Sequence, residues 1–333
     1  KKERCQWSFE LLTQVFGFDA DHLAATVFAG DDNAPRDEEG AQYRIASGFK
    51  KENVYYLPAD DNWWGLEYGP CGPDSEMFYI ADRPDCGPNC GPGCDCGKYT
   101  ELGNDVFMQY EKHHDGHLTP LKQKNVDTGW GLERILAFLN GTRDVYQTDL
   151  FSPVIAYIEE VSGVKYNADE KLTRSMRILA DHLRTGVMLI GDEAKLLPSN
   201  TGAGYILRRL IRRAARHGRL LGIEGTFLAK LSAQVIESSK AGYPELEEKK
   251  EFIFRVLTNE ENQFNNTIDQ GLRILSDMEE DMKKAGEKTL SGDNAFKLYD
   301  TYGFPLDLTK EILEEKGYGI DEEGFQKAIS RRP

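Results

Sequence analysis

The chain lacks any apolar run of the length that a membrane span requires. A transmembrane helix needs roughly 18 or more consecutive apolar residues, whereas an apolar stretch such as residues 186–190 is only a short piece of a buried helix. No signal peptide can be recognised at the start of the chain. These absences argue against a membrane partner and predict a cytoplasmic location.

The chain also has fewer basic than acidic residues. The sequence holds 41 lysines and arginines against 56 aspartates and glutamates, so its net charge is −15 at pH 7. General, sequence-blind binding to nucleic acid is therefore not expected. A local basic face remains compatible with this balance.

Such a face is predicted on a helix near residues 205–219. Apolar residues recur on one side of this helix, and its flanks carry Arg208, Arg209, Arg212, Arg213, Arg216 and Arg219. Two interpretations stay open. Either the arginines bind a specific polyanion, or they form a solvated face that is neutralised by aspartates and glutamates elsewhere.

Cysteine is scarce outside one short segment. Four of the six cysteines follow the spacing C-x3-C-x3-C-x-C, at Cys86, Cys90, Cys94 and Cys96. In a cytosolic chain such clustering favours a metal over disulfides, and four thiolates suit a tetrahedral, structural Zn²⁺. The alternatives are a reduced loop without metal, or a site in which a nearby histidine (His113, His114 or His117) replaces one cysteine.

The sequence shows no β-α-β alternation and no Rossmann or P-loop fingerprint, and its 333 residues suggest two domains. Residues 1–148 mix a helix at 3–16 with strands, among them a hairpin signal at Asp115–Gly116. Residues 149–333 show helical periodicity. We therefore predict an α+β fold, in which a mostly antiparallel sheet with helices is followed by an all-helical domain.

The individual elements follow from hydrophobic spacing. The predicted strands cover residues 26–28, 54–57, 77–80 and 106–110. The predicted helices of the second part cover residues 172–189, 204–221, 227–236, 244–284 and 305–315.

Residues 129–134, with the sequence GWGLER, lie between a predicted strand and an apolar helical run. Glycine lets a ligand approach the backbone, a helix N-terminus favours anions, and arginine grips phosphate with forked donors. Gly129, Gly131 and Arg134 thus form a candidate phosphate site. An ordinary helix start, with the arginine paired to a neighbouring glutamate, explains the pattern as well.

Eight separate segments together resemble one protein family. They are residues 61–64 (DNWW), 69–76 (GPCGPDSE), 104–110 (NDVFMQY), 126–134 (VDTGWGLER), 180–184 (ADHLR), 198–200 (PSN), 204–209 (GYILRR) and 299–307 (YDTYGFPLD). In order and spacing they closely resemble the aminoacylation half of the alanyl-tRNA synthetases, which are class II synthetases. The resemblance covers nearly the whole chain.

The resemblance implies a two-step reaction. Alanine is activated with ATP and Mg²⁺ to alanyl-adenylate, and the alanyl group then passes to the 3′ end of alanine tRNA. By matching positions, Arg134 would hold the triphosphate, while Gly129 and Gly131 would leave room for substrate and nucleotide.

The same match implies an alanine pocket. Asp127 and Asn104 would hold the amino group of alanine, and Trp64 would wall a pocket too small for larger side chains. The structural alternatives are that Asp127 caps a turn and that Trp64 belongs to the core.

The second half resembles the part of the family that reads one G·U pair in the tRNA acceptor stem. Asn200 and Asp307 match the two residues that approach this pair, and an amide and a carboxylate can read base edges in the minor groove of A-form RNA. Arg208, Arg209, Arg212, Arg213 and Arg216 would hold phosphates and fix the register.

The chain departs from the family pattern near these sites. The stretch at residues 65–68 is one position short, Gly103 replaces a tryptophan, and residues 201–203 (TGA) lose an acid and a base. The cysteine cluster is absent from the common form of the family. The departures touch both the alanine pocket and the tRNA contact.

The chain starts without an initiator methionine, and we expect the first two class II motifs to precede it. The fragment alone is therefore expected to be impaired. Two further hypotheses stay open beside an alanine–tRNA ligase: a synthetase-related paralogue that activates an amino acid for another acceptor, and a non-catalytic RNA-binding module stabilised by zinc. The joint presence of Asn104, Asp127 and Arg134 counts against the binding module.

Overall fold

The computed structural model describes residues 1–331. The chain divides into two compact units, and the boundary falls between Thr148 and Asp149. We refer to them as unit 1 and unit 2. None of the helices in the described part of the chain has the length and apolarity of a membrane span.

Unit 1 contains one mixed sheet. Its strands are β1 (Leu23–Phe28), β2 (Val54–Leu57), β3 (Trp63–Gly65), β4 (Gly69–Ile80), β5 (Tyr99–Lys112) and β6 (Leu118–Trp130). They lie in the order β2-β1-β4-β5-β6, with β3 paired to β4, and only the β1–β2 pair is parallel. The β5–β6 turn lies at Asp115–Gly116 as predicted, because the amide of Gly116 donates to the His113 carbonyl at 2.8 Å.

The helices of unit 1 are α1 (Lys2–Glu10), α2 (Glu38–Ser47), α3 (Ala59–Asn62) and α4 (Leu132–Leu139), and a π-helical turn at Leu11–Val15 prolongs α1. A buried cluster joins helices to the sheet; it consists of Leu12, Leu23, Ala25, Phe49, Met77, Leu102 and Ile135. All six residues of β1 are buried, so both faces of the strand are covered, and its sequence is a largely apolar run and not an alternating pattern.

Unit 2 is built mainly of helices. They are α5 (Ser152–Ser162), α6 (Glu170–Gly191), α7 (Gly202–Leu220), α8 (Leu228–Ser239), α9 (Glu245–Glu248), α10 (Lys250–Ala285), α11 (Gly292–Tyr302), α12 (Leu306–Glu315) and α13 (Glu322–Ser330). A short parallel pair, β7 (Thr289–Leu290) with β8 (Gly319–Ile320), interrupts them. The predicted α+β class is confirmed, although the second part contains this small pair in addition to its helices.

The arginine-rich helix α7 forms for the predicted reason. Leu207, Ile211, Ala214 and Ala215 are buried on one face, so helical spacing places the apolar side chains together. Gly218 on the same helix is required by a close approach, since a Cβ there would lie 2.1 Å from the Phe227 ring. This approach packs the chain that enters α8 directly against α7.

Candidate functional site

Strands β4, β5 and β6 bring four polar side chains to one face of the sheet. Asp74 lies opposite Val106, which lies opposite Asp127. In the next row of the same face, Glu76 lies opposite Asn104, which lies opposite Gly129. Directly opposed residues point to the same side, so Asp74, Glu76, Asn104 and Asp127 share this face. The resemblance had placed Asn104 and Asp127 together, and the register brings them to adjacent strands.

The amide of Asn104 is held in one orientation. Its Oδ1 accepts from the Gly129 amide at 3.1 Å, and its Nδ2 donates to Asp74 Oδ2 at 3.3 Å. Asp127 is exposed, and its Oδ1 accepts from the Thr128 amide at 2.8 Å. The structural alternative, that Asp127 caps a turn, does not match this position, because Asp127 lies within β6 and its carboxylate accepts from the next amide of the same strand. Asp127 remains at the surface beside Asn104.

Two carboxyl groups, of the buried Asp74 and the half-buried Glu76, lie on the same face as this amide. Burial raises the pKa of Asp74 to about 6, and burial together with the charges of Glu101, Asp74 and Asp61 raises the pKa of Glu76 to about 8. Asp74 Oδ1 is buried without a hydrogen-bond partner. Both acids occur in the GPCGPDSE segment, but no role was assigned to them from the sequence. Their crowding makes this face a favourable place for a cation.

Arg134 lies in the first turn of α4 at the end of β6. Its Nη1 donates to Glu101 Oε2 at 2.7 Å and to the Glu101 carbonyl at 3.1 Å, and the side chain is about half exposed. Arg134 is thus paired with a glutamate, as the ordinary alternative expects, but this partner lies 33 positions away along the chain. Gly131 caps the helix, and its amide donates to the Leu102 carbonyl at 2.8 Å.

The opposite face of the three strands is fixed by a buried charge network. Asp105 is fully buried and accepts from Ser8 Oγ at 2.6 Å, Arg4 Nε at 2.7 Å and Arg44 Nη2 at 2.9 Å. Arg44 is fully buried as well, and its Nε donates to Ser75 Oγ at 2.8 Å. Because Ser75 and Asp105 alternate with Asp74 and Asn104 along their strands, this network holds the backbone on which the site residues stand.

The Gly103 departure has a physical compensation. Gly103 lies directly opposite Trp130, and a Cβ at Gly103 would lie 2.7 Å from the Trp130 ring. The indole of β6 thus occupies the space beside Gly103 and packs against the core cluster. Asn104, the next residue of β5, is oriented by its own hydrogen bonds to Asp74 and Gly129.

The predicted pocket wall, Trp64, lies on β3 with 37% of its surface exposed. A packing role describes the neighbouring Trp63 better than Trp64. The Trp63 ring stacks on Tyr110 at 5.8 Å and contacts Phe28 at 5.2 Å, both measured between ring centroids. The stretch that is one position short, residues 65–68, comprises the last residue of β3 and the connection to β4.

The four clustered cysteines converge. Their sulfurs all lie within 4.8 Å of one another, with Cys86 and Cys94 Sγ 3.3 Å apart and Cys90 and Cys96 Sγ 3.7 Å apart. Zn–S bonds of about 2.3 Å in a tetrahedron place sulfurs about 3.8 Å apart, so the cluster has the dimensions of a four-thiolate zinc site. Within residues 1–331 no histidine joins this group, which disfavours the alternative with a histidine ligand.

Unit 2 pairs the α7 arginines with acidic residues of α10 and α12. Arg212 Nε lies 2.7 Å from Glu260, and Arg216 lies 3.4 Å from Glu311 and 3.3 Å from Glu315. The side chains of Arg212 and Arg216 are only 9% and 8% exposed. The neutralised-face interpretation therefore describes these two, and their prediction as phosphate contacts is corrected, because burial in ion pairs withdraws them from RNA.

The other predicted RNA contacts come from three segments: Arg208, Arg209 and Arg213 lie on α7, Asn200 precedes α7, and Asp307 lies on α12. Arg208 donates to Asn200 Oδ1, and Arg209 forms an ion pair with Asp307. Two neighbouring pockets of unit 2 share Arg212 and Pro305 in their linings; one contains Asn200 and Arg208, and the other contains Arg209, Arg213 and Asp307. The fold thus brings Asn200 and Asp307 to the same region although 107 positions separate them in the sequence.

Comparison with known proteins agrees with this architecture. The family model for tRNA synthetases class II (A) matches residues 1–332. Similar proteins include Alanine–tRNA ligase 1 of Lachnoclostridium phytofermentans, 48% identical over 99% of this chain and 37% of the relative, and Alanine–tRNA ligase of Treponema denticola, 48% identical over 99% of this chain and 56% of the relative. Alanine–tRNA ligase of Clostridioides difficile is 42% identical over the whole chain and 37% of its own length.

The chain therefore spans between about a third and about half of the length of these curated relatives. The resemblance inferred from the eight segments is confirmed at the level of the family. The chain belongs to the class II (A) tRNA synthetases.

Proposed function

We propose that the protein to which this chain belongs is an alanine–tRNA ligase, which activates alanine with ATP and transfers it to the 3′ end of alanine tRNA. The observation that carries the proposal is the shared face of Asn104 and Asp127, with Arg134 at the turn that follows β6. A non-catalytic RNA-binding module would not need side chains that bind an ammonium group and a triphosphate. A paralogue with another acceptor remains the second candidate, favoured by the TGA departure at residues 201–203.

In the first step a carboxylate oxygen of alanine attacks the α-phosphorus of ATP, the bond to the β-phosphate oxygen breaks, and pyrophosphate leaves. This step requires alignment and charge neutralisation more than proton transfer. Asp127 binds the ammonium group, and Asn104, whose amide is already oriented, contacts the same group. Arg134 exchanges Glu101 for the triphosphate, which gains a forked donor, while Mg²⁺ arrives with ATP as part of the substrate.

In the second step a ribose hydroxyl at the 3′ end of tRNA attacks the alanyl carbonyl, and AMP leaves. Asn200 and Asp307 read base edges of the acceptor stem, and Arg208, Arg209 and Arg213 contact phosphates beside them. These three arginines keep part of their side chains exposed, unlike Arg212 and Arg216. The proposed substrates, ATP and tRNA, are consistent with a cytoplasmic protein.

The four-cysteine cluster is proposed to bind a structural Zn²⁺. Four sulfurs at near-tetrahedral spacing close the coordination shell and leave no position for a substrate. Metal analysis of the full-length protein tests this, with a Cys86→Ala variant as the comparison. We expect the variant to contain one zinc fewer per chain, and equal metal content in both proteins would contradict the proposal.

Pyrophosphate exchange with the full-length protein, run with each amino acid in turn, separates the candidate functions. We expect exchange with alanine, followed by charging of alanine tRNA. Exchange without charging would favour the paralogue. The absence of exchange with every amino acid would remove both enzymatic candidates.

A further inference from the structure

The connector from β4 to β5 carries the cysteine cluster. It spans residues 81–98, between Ile80 and Tyr99, and contains no helix or strand. The Ala81 amide donates to the Lys98 carbonyl at 2.8 Å, and Lys98 pairs with Asp85 at 2.5 Å. These contacts close the base of the loop, while its interior contains two turn-type backbone hydrogen bonds, from Cys90 to Gly87 and from Cys94 to Gly91, and the four converging thiols.

The same loop lies against β2. A Cβ at Gly91 would lie 3.5 Å from the Tyr55 ring, and one at Gly93 would lie 3.7 Å from Leu57. The hydroxyls of Tyr55 and Tyr99 are 3.2 Å apart, so the loop and the first residue of β5 share one supporting surface. The loop therefore packs on the same tyrosine that contacts the first residue of β5.

Hydrogen bonds connect both ends of helix α4 to the loop and to the start of β5. At its start, Arg134 donates to Glu101 Oε2 at 2.7 Å. Beyond its end, Arg143 Nη2 donates to the Gly97 carbonyl at 2.9 Å. Gly97 directly follows Cys96, and Glu101 is the third residue of β5. Both acceptors thus lie within the five residues that follow the last cysteine of the cluster.

Resting on the proposed ligase function, we infer that the four-cysteine metal site is a positioning element for the ATP-binding arginine. A metal ion would cross-link residues 86–96 and remove their conformational freedom. The Gly97 carbonyl, which accepts from Arg143 beyond the end of α4, would then be held at a fixed place, and α4 would present Arg134 to the triphosphate. Without metal, the hydrogen bond of Arg143 would end on a loop that lacks this cross-link, whereas Glu101 would stay paired to β4 opposite Phe78. The side-chain hydrogen bonds of the proposed alanine-binding pair, Asn104 and Asp127, go to Asp74, Gly129 and Thr128, which lie outside the loop.

The test uses the full-length protein with bound Zn²⁺ and three variants. Cys86→Ala removes the most exposed ligand, Arg143→Gln breaks one tie while leaving all four thiols, and Asp95→Asn changes an exposed loop residue as the control. Zinc content is measured by elemental analysis. KM values for ATP and for alanine are measured separately in pyrophosphate exchange.

We expect Cys86→Ala to lose one zinc and to raise the KM for ATP about tenfold, with the KM for alanine changed by less than about twofold. Arg143→Gln should keep its zinc and raise only the KM for ATP, and Asp95→Asn should match the parent. Zinc loss with an unchanged KM for ATP, or an equal rise in both KM values, would overturn the inference.

A readout without catalysis separates this inference from the proposed function. Amide hydrogen exchange of residues 132–139 is compared with and without Zn²⁺. We expect faster exchange in α4 after zinc removal, even if no amino acid supports pyrophosphate exchange. Unchanged protection of α4 after demonstrated zinc loss would refute the coupling whatever the enzyme's substrate.

Discussion

Removal of the carboxylate of Asp105 should destabilise unit 1 strongly. Asp105 and Arg44 are both fully buried and lie 2.9 Å apart, and Arg4 and Ser8 also donate to the same carboxylate. In Asp105→Ala the Arg44 guanidinium stays buried without its counter-charge. Loss of one partner of a buried ion pair costs about 3–5 kcal/mol, so we expect the free energy of unfolding to fall by that amount.

The assay is denaturant unfolding followed by tryptophan fluorescence. All four tryptophans (Trp7, Trp63, Trp64 and Trp130) lie in unit 1, so the signal reports on the unit that contains the network. The matched control is Asp21→Ala, which breaks the exposed pair between Asp21 and Lys50. An exposed pair contributes about 0–1 kcal/mol.

A double variant sharpens the reasoning. Arg44→Met with Asp105→Leu removes both charges and leaves no buried ion, so it should be more stable than Asp105→Ala alone. If Asp105→Ala costs no more than Asp21→Ala, the network does not hold the strands as described. The same holds if the double variant is the least stable of the three.

Three further predictions follow from other parts of the molecule. The pKa of Glu76 rises from 4.5 to about 8 on folding, so the folded state binds this proton more tightly than the unfolded state. The free energy of unfolding should therefore fall as pH rises from about 4.5 to 8. Glu76→Gln should flatten that part of the pH profile, measured by denaturation. Arg216→Gln should lower the melting temperature. Arg209→Gln should weaken tRNA binding and its salt dependence with little effect on the melting temperature. The reverse pattern would contradict the assignment of Arg216 to a buried ion pair and of Arg209 to RNA contact. Gly103→Ala should destabilise by about 1–3 kcal/mol in urea unfolding, since its Cβ would lie 2.6 Å from the Gly129 carbonyl; a neutral effect would show that the strands can separate.

Local patterns predicted the elements well where the periodic signal was long or the strand was apolar. The strand at 54–57 has the predicted bounds, and the predicted helix at 244–284 is observed as α9 and α10. Helices α11 and α13 and the pair β7–β8 were not predicted, because two-residue strands and short helices carry little periodicity. The order of the strands in the sheet could not be predicted, because the sequence of one strand does not specify which strands pair with it.

The candidate site was predictable only where the family resemblance supplied it. Asn104 and Asp127 meet because of a strand register that no local pattern specifies. The partners of Arg212 and Arg216 lie 48 and about 100 positions further along the chain, so their burial could not be foreseen from the helix alone. The burial of Asp105 could not be predicted either, because an acidic residue in a strand is normally expected to face solvent.

The most direct test of the central claim is alanine-dependent pyrophosphate exchange by the full-length protein and its Asp127→Asn and Arg134→Gln variants. Both side chains are exposed or half-exposed in unit 1, so these changes should leave folding intact. We expect each variant to lose about 100-fold in kcat/KM, which corresponds to the loss of one charged contact. Asp127→Asn should act through alanine and Arg134→Gln through ATP. Exchange within about threefold of the parent in both variants would show that this face does not form the adenylate.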